Sequence, residues 1–269
     1  MTPVVDVAAF DPFAAGSATT LVLFGTRIGG MMLVAPAFSA TTVPKAVRVG
    51  LLVLLTVLLQ PAALASVHGT PALTATALAS ETLIGFAIGM GVAVLVGAAE
   101  AAGDVMAVQM GLSGAALLDP LDTTQAPVLG TFTRLFATTL LLTMNFHFVM
   151  LGALADSAER FPVGSPVSLQ GGTMAVLQLG GTLFVLGVRF AAPVIVAVMI
   201  ANVALAVLGR AAPQLNILTV AFPLQITIGL FALMAAMPAM ARFFEGWTGT
   251  YNGMMSHVAT GLSIAAAHP

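Results

Sequence analysis

The side chains that could carry out catalysis are few, and they form no recognised motif. An enzyme inside a membrane needs a nucleophile with a base, or a cluster of metal ligands, facing a polar pocket. His147, in MNFHFVM, lies within a long apolar segment, but no H-E-x-x-H, G-x-S-x-G or helical aspartate pair accompanies it. His68 lies in a short connection, and His257 and His268 lie in the C-terminal tail. We therefore expect no enzyme activity, metal or cofactor, and interpret His147 as a hydrogen-bonded packing residue.

Three acidic residues in or beside apolar segments suggest a second kind of chemistry, a proton path. They are Glu81, Glu100 and Asp104. Glu100 and Asp104 have i,i+4 spacing, so their like charges repel on one helix face unless a cation answers them. This spacing favours an interface with a partner. The open alternative is a helix end that emerges into water after Ala99.

Three arginines lie inside apolar segments, where a guanidinium facing lipid is costly. Arg27, Arg134 and Arg189 are therefore expected to face protein or water. The alternative is that they lie near true helix ends and extend to the membrane interface. Because the chain has too few internal partners for every such charge, we predict that partner subunits supply the missing groups. The predicted interface charges are Arg27, Glu81, Glu100, Asp104, Arg134 and Arg189.

The composition excludes several classes of protein. Of 269 residues, 59% are hydrophobic and 7% are charged, whereas a soluble domain carries about 25% charged residues. A formal net charge of -2 and the lack of any basic run argue against nucleic-acid binding. With no cysteine, disulfides and thiolate chemistry are impossible. Asp6 and Asp11 in place of a basic N-terminal region indicate that no signal peptide is cleaved.

Six apolar segments are long enough to approach or exceed the roughly 20 helical residues that cross a bilayer. They span residues 19–38, 47–64, 75–99, 128–154, 174–208 and 217–241. In lipid, only helices and closed β-barrels satisfy the backbone hydrogen bonds. The sequence has no repeated alternation of apolar and polar residues that would indicate a barrel, so we expect helices. We predict an all-α membrane or membrane-complex protein built of helical hairpins. Prolines kink or end its apolar helices, and they are Pro36, Pro61, Pro193, Pro223 and Pro238.

Two stretches between apolar segments are predicted to be irregular. Residues 109–120 contain Gly111, Gly114 and Pro120, which disfavour a lipid-spanning helix and predict a loop or short broken helix. Residues 209–216 are expected to turn the last two long helices into an antiparallel hairpin. The residues that define this turn are Arg210, Pro213, Gln214 and Asn216.

Four sequence blocks carry a resemblance to a known family. One block, starting at Gly103, is GDVMAVQMGLSGAALLDP, and it resembles a family segment that ends in Asp-Pro. A second, starting at Gly209, is GRAAPQLNILTVAFPLQITIG, and it resembles the family segment that joins the last two helices. TTVPKAVRVGLL, and MNFHFVMLGALADS followed by FPVG, resemble two further segments. The blocks occur in the family's order and cover nearly the whole chain. The sequence thus resembles the FliR/SctT family of type III secretion. Its APQLNI and QMGLS…DP motifs are closer to the flagellar branch of that family.

The resemblance implies a structural subunit of the flagellar export gate, in the bacterial inner membrane at the flagellar basal body. Such a subunit forms a protein-conducting pore with FliP and FliQ, docks to FlhB and FlhA, exports unfolded flagellar subunits and catalyses no reaction. Residues 1–160 would be the FliP-like part, 161–172 a connecting loop, and 173–269 a FliQ-like hairpin and tail. The alternatives are an injectisome SctT subunit and a small-solute secondary transporter, although the latter would need an internal repeat.

The resemblance also places residues 109–120 at the pore, where their apolar content suits a dry constriction. The alternative is a buried connecting loop packed against neighbouring subunits. This predicted pore loop comprises Gln109, Met110, Gly111, Leu112, Ser113, Gly114, Ala115, Ala116, Leu117, Leu118, Asp119 and Pro120.

Overall fold

The structure is a computed structural model that describes residues 17–39, 43–67, 71–112, 128–212 and 217–263. Within these ranges the chain is helical and has no strand, which confirms the predicted fold class. The helices are α1 (Ser17–Val34), α2 (Pro36–Ser39), α3 (Lys45–Ala65), α4 (Ala75–Gln109), α5 (Val128–Thr143), α6 (Phe146–Arg160), α7 (Leu169–Ala211), α8 (Ile217–Glu245) and α9 (Trp247–Ser263).

Five helices in the described ranges are long and apolar enough to cross a membrane, namely α1, α3, α4, α7 and α8. The apolar segment predicted over 128–154 differs, because it breaks into α5 and α6 at Asn145. Asn145 has a φ of 56°, a left-handed conformation that asparagine tolerates better than most residues. The predicted apolar segment therefore forms two shorter helices, bent by 68° relative to each other.

Prolines interrupt the helices less than the sequence suggests. Pro61 lies within α3, Pro193 within α7, and Pro223 and Pro238 within α8, and each helix continues through its proline. Proline removes one backbone donor, but neighbouring groups and small local adjustments can satisfy the backbone in an apolar helix. The long helices therefore keep their length.

The segment after residue 246 corrects another expectation. The sequence predicts a C-terminal tail here, whereas Trp247–Ser263 forms the helix α9. Polar residues and glycines give this stretch a low apolar density, which hides its narrow apolar face in the sequence. Trp247, Tyr251, Val258 and Leu262 are all buried and lie at helical spacing.

The chain divides into two compact units. Unit 1 comprises residues 1–93, 145–180 and 248–269, and unit 2 comprises residues 94–144 and 181–247. The predicted boundaries at residues 160 and 173 separate a FliP-like part from a FliQ-like part. The two compact units do not test this resemblance, so the boundaries stay a prediction.

In unit 1, glycines bring the backbones of α1 and α4 into contact. A Cβ at Gly85 would overlap the carbonyl oxygen of Arg27, and one at Gly89 would lie 2.6 Å from that of Met31. The Gly85–Gly89 spacing is of the small-xxx-small type that lets helix backbones approach each other closely. Here the helix that approaches both glycines is α1.

Unit 2 contains two pairs of packed helices. Asn202 of α7 accepts a hydrogen bond from Gln225 of α8, and Phe190 of α7 packs edge-on against Phe243 of α8 at 5.2 Å between ring centroids. These contacts pair later residues of one helix with earlier residues of the other, so the two helices run antiparallel, as predicted. In α4, a Cβ at Gly103 would lie 2.6 Å from the carbonyl oxygen of Leu129 in α5.

A larger side chain at Gly85 is expected to destabilise unit 1. In Gly85→Leu the new side chain meets the backbone of α1, which cannot move away as a flexible side chain can, so the free energy of unfolding should fall by about 3 kcal/mol. Heating of isolated membranes, followed by loss of the chain's protease resistance, measures this change. Gly50→Leu is the matched control, because a Cβ there meets nothing within 4 Å. Equal stability of the two variants would contradict the close helix contact.

Candidate functional site

A fully buried ion pair lies in the core of unit 1. Arg27 of α1 and Glu81 of α4 are both 0% exposed. The Arg27 Nε donates to Glu81 Oε2 at 2.6 Å, and Nη2 donates to Glu81 Oε1 at 3.1 Å. Two parallel N–H···O bonds between a guanidinium and a carboxylate fix the relative orientation of both side chains.

The remaining polar atoms of this pair are satisfied by α6 and the segment after it. Arg27 Nη1 donates to Ser157 Oγ at 2.9 Å, and Nη2 also donates to the carbonyl oxygen of Phe161 at 2.9 Å. The backbone N–H of Gly164 donates to Glu81 Oε1 at 2.8 Å. Gly164 has a φ of 86°, which favours glycine at this turn.

This geometry changes the role expected for two of the predicted interface charges. Arg27 and Glu81 were expected to be answered by a partner subunit, but each supplies the opposite charge to the other inside the chain. A buried charge without a partner is costly, whereas a well-bonded pair offsets much of its own desolvation. The pair therefore joins α1, α4, α6 and the turn at residues 161–164 within unit 1.

The other predicted interface charges lie in unit 2. Arg134 of α5 lies 3.8 Å from Glu100 of α4, with side chains 49% and 40% exposed, so a cation of the same chain approaches this acid. Asp104 packs against Gly130 of α5, and its Oδ1 is buried with no hydrogen-bond partner in the described residues. Whether partner subunits contact Glu100, Asp104 and Arg134 stays a prediction.

Arg189 is exposed on α7, and its guanidinium carbon lies 5.5 Å from the centroid of the Phe243 ring. Arg210 is exposed near the end of the same helix. The remaining residues predicted for the hairpin turn, Pro213, Gln214 and Asn216, lie outside the described residues.

The first four residues of the predicted pore loop are described. Gln109 ends α4, and Met110 is fully buried. A Cβ at Gly229 of α8 would overlap the Met110 side chain, so the glycine makes room for it. Gly111 has a φ of 76° and faces Phe222, and Leu112 is 40% exposed. Helix α4 thus extends beyond the apolar segment predicted to end at Ala99, so Glu100 and Asp104 lie within the helix and the alternative of a helix end after Ala99 is wrong. The helix ends at Gln109, where the irregular segment was predicted to begin, and residues 113–120 of that segment lie outside the described ranges.

Comparison with known proteins decides which family this arrangement represents. The family described as bacterial export proteins, family 1, matches residues 18–250. The chain belongs to this family.

Three similar members of the family share the name flagellar biosynthetic protein FliR. The flagellar biosynthetic protein FliR of Escherichia coli K12 is 33% identical over 222 residues, covering 81% of this chain and 84% of that protein. FliR of Pectobacterium carotovorum is 30% identical over 240 residues, covering 88% and 91%. FliR of Bacillus subtilis is 26% identical over 219 residues, covering 78% and 83%. The resemblance to the FliR family is confirmed.

An aromatic side chain that the sequence pattern does not single out fixes α9 to α4 within unit 1. Tyr251 of α9 is fully buried in unit 1, and its hydroxyl donates to the carbonyl oxygen of Ile88 at 3.2 Å. Phe146 packs edge-on against its ring at 5.4 Å. Burial raises the pKa of Tyr251, so the hydroxyl stays protonated and remains a donor. The spacing of Trp247 and Tyr251 in the sequence is the signal that could have indicated a helix.

Unit 1 of this family member also contains a cavity of about 510 Å³ between α4, α6 and α9. Its wall includes Ser157 and Phe161, which bind Arg27, and Asp156 and Arg160 also line it. His147 does not line this cavity; its ring is tilted against that of Phe148 at 4.3 Å between centroids, and its Nδ1 has no hydrogen-bond partner in the described residues. Its role as a packing residue stays a prediction.

Breaking the Arg27–Glu81 pair is expected to be more damaging than removing it. Arg27→Met leaves a buried, uncompensated carboxylate, so the free energy of unfolding should fall by about 3–5 kcal/mol. The double variant Arg27→Met, Glu81→Met should recover much of this loss, because it buries no charge. Heating of isolated membranes, followed by loss of the chain's protease resistance, measures both variants.

Arg134→Gln is the control for loss of one arginine. Its ion pair with Glu100 is about half exposed, so its removal should change the stability by no more than about 1 kcal/mol. If Arg27→Met proved as mild as Arg134→Gln, the buried pair would not hold unit 1 together.

Proposed function

We propose that this chain is a structural subunit of the flagellar type III protein export gate and forms part of its protein-conducting pore with FliP and FliQ. Membership of the bacterial export family and the shared name of its flagellar relatives support this role. The chain is an inner-membrane protein with several apolar helices. The proposed role involves docking to FlhB and FlhA and needs no bond-making step, so we propose no enzyme activity.

The apolar surface of unit 2 is the observation that carries the proposal. Only 28% of the apolar span of α7 and 17% of that of α8 are buried within the chain, against 67% for α4. Phe184, Val188, Phe231 and Met234 are each at least 65% exposed. Apolar side chains on this scale need lipid or other subunits around them. A gate subunit that lies in a membrane and between neighbours provides both environments.

Co-expression tests the proposed assembly. A tagged chain expressed together with FliP and FliQ is expected to purify as a complex of all three, whereas the chain expressed alone should aggregate or be degraded because its apolar faces are uncovered. Size-exclusion chromatography and mass analysis measure the outcome. A monodisperse, heat-stable monomer would count strongly against the export-gate role.

A pair of charge substitutions sharpens this experiment. Phe231→Asp puts a carboxylate on the exposed face of α8, where Phe231 is 67% exposed. It should reduce recovery of the complex at least several-fold, because a charge in an apolar span is costly. Thr260→Asp on α9 adds the same charge at an exposed polar position and should leave recovery unchanged.

We also propose that residues 109–120 act as the constriction of this pore. The seat of Met110 at Gly229 and the left-handed Gly111 hold the first residues of the segment against α8, which supports a loop with a fixed root. Leu112 is exposed at this root, and leucine and alanine dominate residues 115–118, which suits a barrier to water and ions.

Deleting residues 111–117 tests the constriction. The shortened chain keeps Met110 in its seat, so the complex with FliP and FliQ should still assemble. Ion conductance across a bilayer that contains the complex should rise, because the apolar barrier is gone. Assembled complexes with unchanged conductance would instead indicate a packing loop.

A further inference from the structure

Helix α7 contains two adjacent glycines, Gly180 and Gly181, about three turns after its start. Glycine favours a helix less than any residue other than proline, because its backbone loses the most conformational freedom there. A glycine inside a helix therefore needs another reason, and close packing is a common one. Gly85, Gly89 and Gly103 have this reason, since a Cβ at each would collide with the backbone of another helix.

Close packing within the chain does not explain the pair in α7. A Cβ at Gly180 or Gly181 would meet nothing within 4 Å in the described residues. Gly181 is exposed and Gly180 is partly exposed, so there is open space beside both. A backbone without a Cβ bends more freely, and pairs of small residues such as glycine are among the few sites at which helices kink sharply. The pair is therefore a point at which α7 resists bending weakly.

The two parts of α7 on either side of the pair have separate neighbours. Before the pair, a Cβ at Gly171 would overlap the carbonyl oxygen of Gly261 in α9, so the backbones of these helices are in close contact. After the pair, the Leu183 side chain lies against Gly97 of α4, where a Cβ would be 3.1 Å from its Cδ1. Each part of α7 is thus attached to its own neighbour, and the two glycines lie between these attachments.

The division of the chain into two units falls at the same place. Unit 1 includes α7 up to residue 180, and unit 2 begins again at residue 181. The chain passes between the units at three other points. Two of these lie at or next to a break between helices, namely Asn145, which is left-handed, and Gly246. The third lies within α4, which continues without a break. The glycine pair thus gives α7 a flexible connection where α5 and α8 have a break.

We propose that Gly180–Gly181 is a hinge at which α7 bends, so that α7 does not hold the two units in one fixed arrangement. Apolar side chains on both sides of the hinge are exposed, with Leu177 at 65% and Phe184 at 74%. Because such surfaces need to be covered, bending lets each part of α7 fit against its own surroundings. This inference concerns the chain's own helix and does not require the proposed pore.

Distances between spin labels measure the bending directly. Spin-labelled amino acids are encoded two at a time in the full-length chain, and their dipolar coupling is read in isolated membranes of cells that also express FliP and FliQ. Labels at Met174 and Val188 are separated by about 21 Å of helix and enclose the hinge. Labels at Val188 and Val203 are separated by about 22 Å and enclose no glycine. All three positions are at least 59% exposed. The distance distribution across the hinge should be about twice as wide as the other.

Two double variants separate the hinge from a general effect of alanine. Gly180→Ala, Gly181→Ala should narrow the distribution across the hinge to the width of the other, because alanine removes the extra backbone freedom and meets nothing within 4 Å. Gly50→Ala, Gly152→Ala is the matched control, since it changes two glycines with equally open surroundings in α3 and α6, and it should leave both widths unchanged. Protease resistance of the chain in the same membranes shows that each variant retains its fold.

Three results would overturn the hinge. The first is equal width of the two distributions in the unmodified chain, and the second is a distribution across the hinge that stays broad in Gly180→Ala, Gly181→Ala. The third is equal widths in the unmodified chain together with loss of co-purification with FliP and FliQ in that variant, which would show that the glycines make room for a neighbouring subunit. Because the widths are read within the chain itself, the expected widths without co-purification of the unmodified chain would support the hinge and contradict only the proposed assembly.

Discussion

A guanidinium and a carboxylate sealed away from water constrain the whole of unit 1. Arg27 and Glu81 are stable there only while every other polar contact of the pair is also made, because each lost hydrogen bond leaves a buried charge undersolvated. Ser157, the Phe161 carbonyl and the Gly164 amide must therefore keep their positions together. The glycine contacts between α1 and α4 bring the two charged side chains within reach, so helix packing and electrostatics depend on each other.

Unit 2 has no buried ion pair among its described residues, and other interactions stabilise it. The described polar contacts within the hairpin are few, with the Asn202–Gln225 hydrogen bond as the main example. Aromatic packing of Phe190 on Phe243 and Phe244 joins the middle of α7 to the end of α8. Hydrogen bonds between membrane helices contribute only about 0.6 kcal/mol each. Much of the stabilisation of this hairpin must therefore come from what surrounds it, whether lipid or subunits. An exposed apolar surface is in this sense a structural requirement for an assembly.

Much of the helical architecture could be predicted from the sequence, because long uncharged runs permit few alternatives in a membrane. The antiparallel hairpin and the end of α4 before Gly111 followed from proline, glycine and polar punctuation. The partner of Arg27 could not be predicted, since apolar periodicity locates a charge within a helix but does not show which distant helix it faces. The break at Asn145 and helix α9 were also missed. One depends on a single residue's backbone conformation, and the other on an apolar face too narrow to dominate the local composition.

The three arginines in apolar segments show that the residue type alone does not determine the environment of a charge. Arg27 is buried and paired, Arg134 is half exposed beside Glu100, and Arg189 lies exposed over an aromatic ring. Arg27 has a carboxylate on an adjacent helix in close backbone contact, so its charge can be enclosed. Within the described residues Arg189 forms no such ion pair, and it stays exposed on α7 with the Phe243 ring under its guanidinium. The nearest opposite charge and the exposure of the site, more than the local sequence, determine where each charge in an apolar helix can be tolerated.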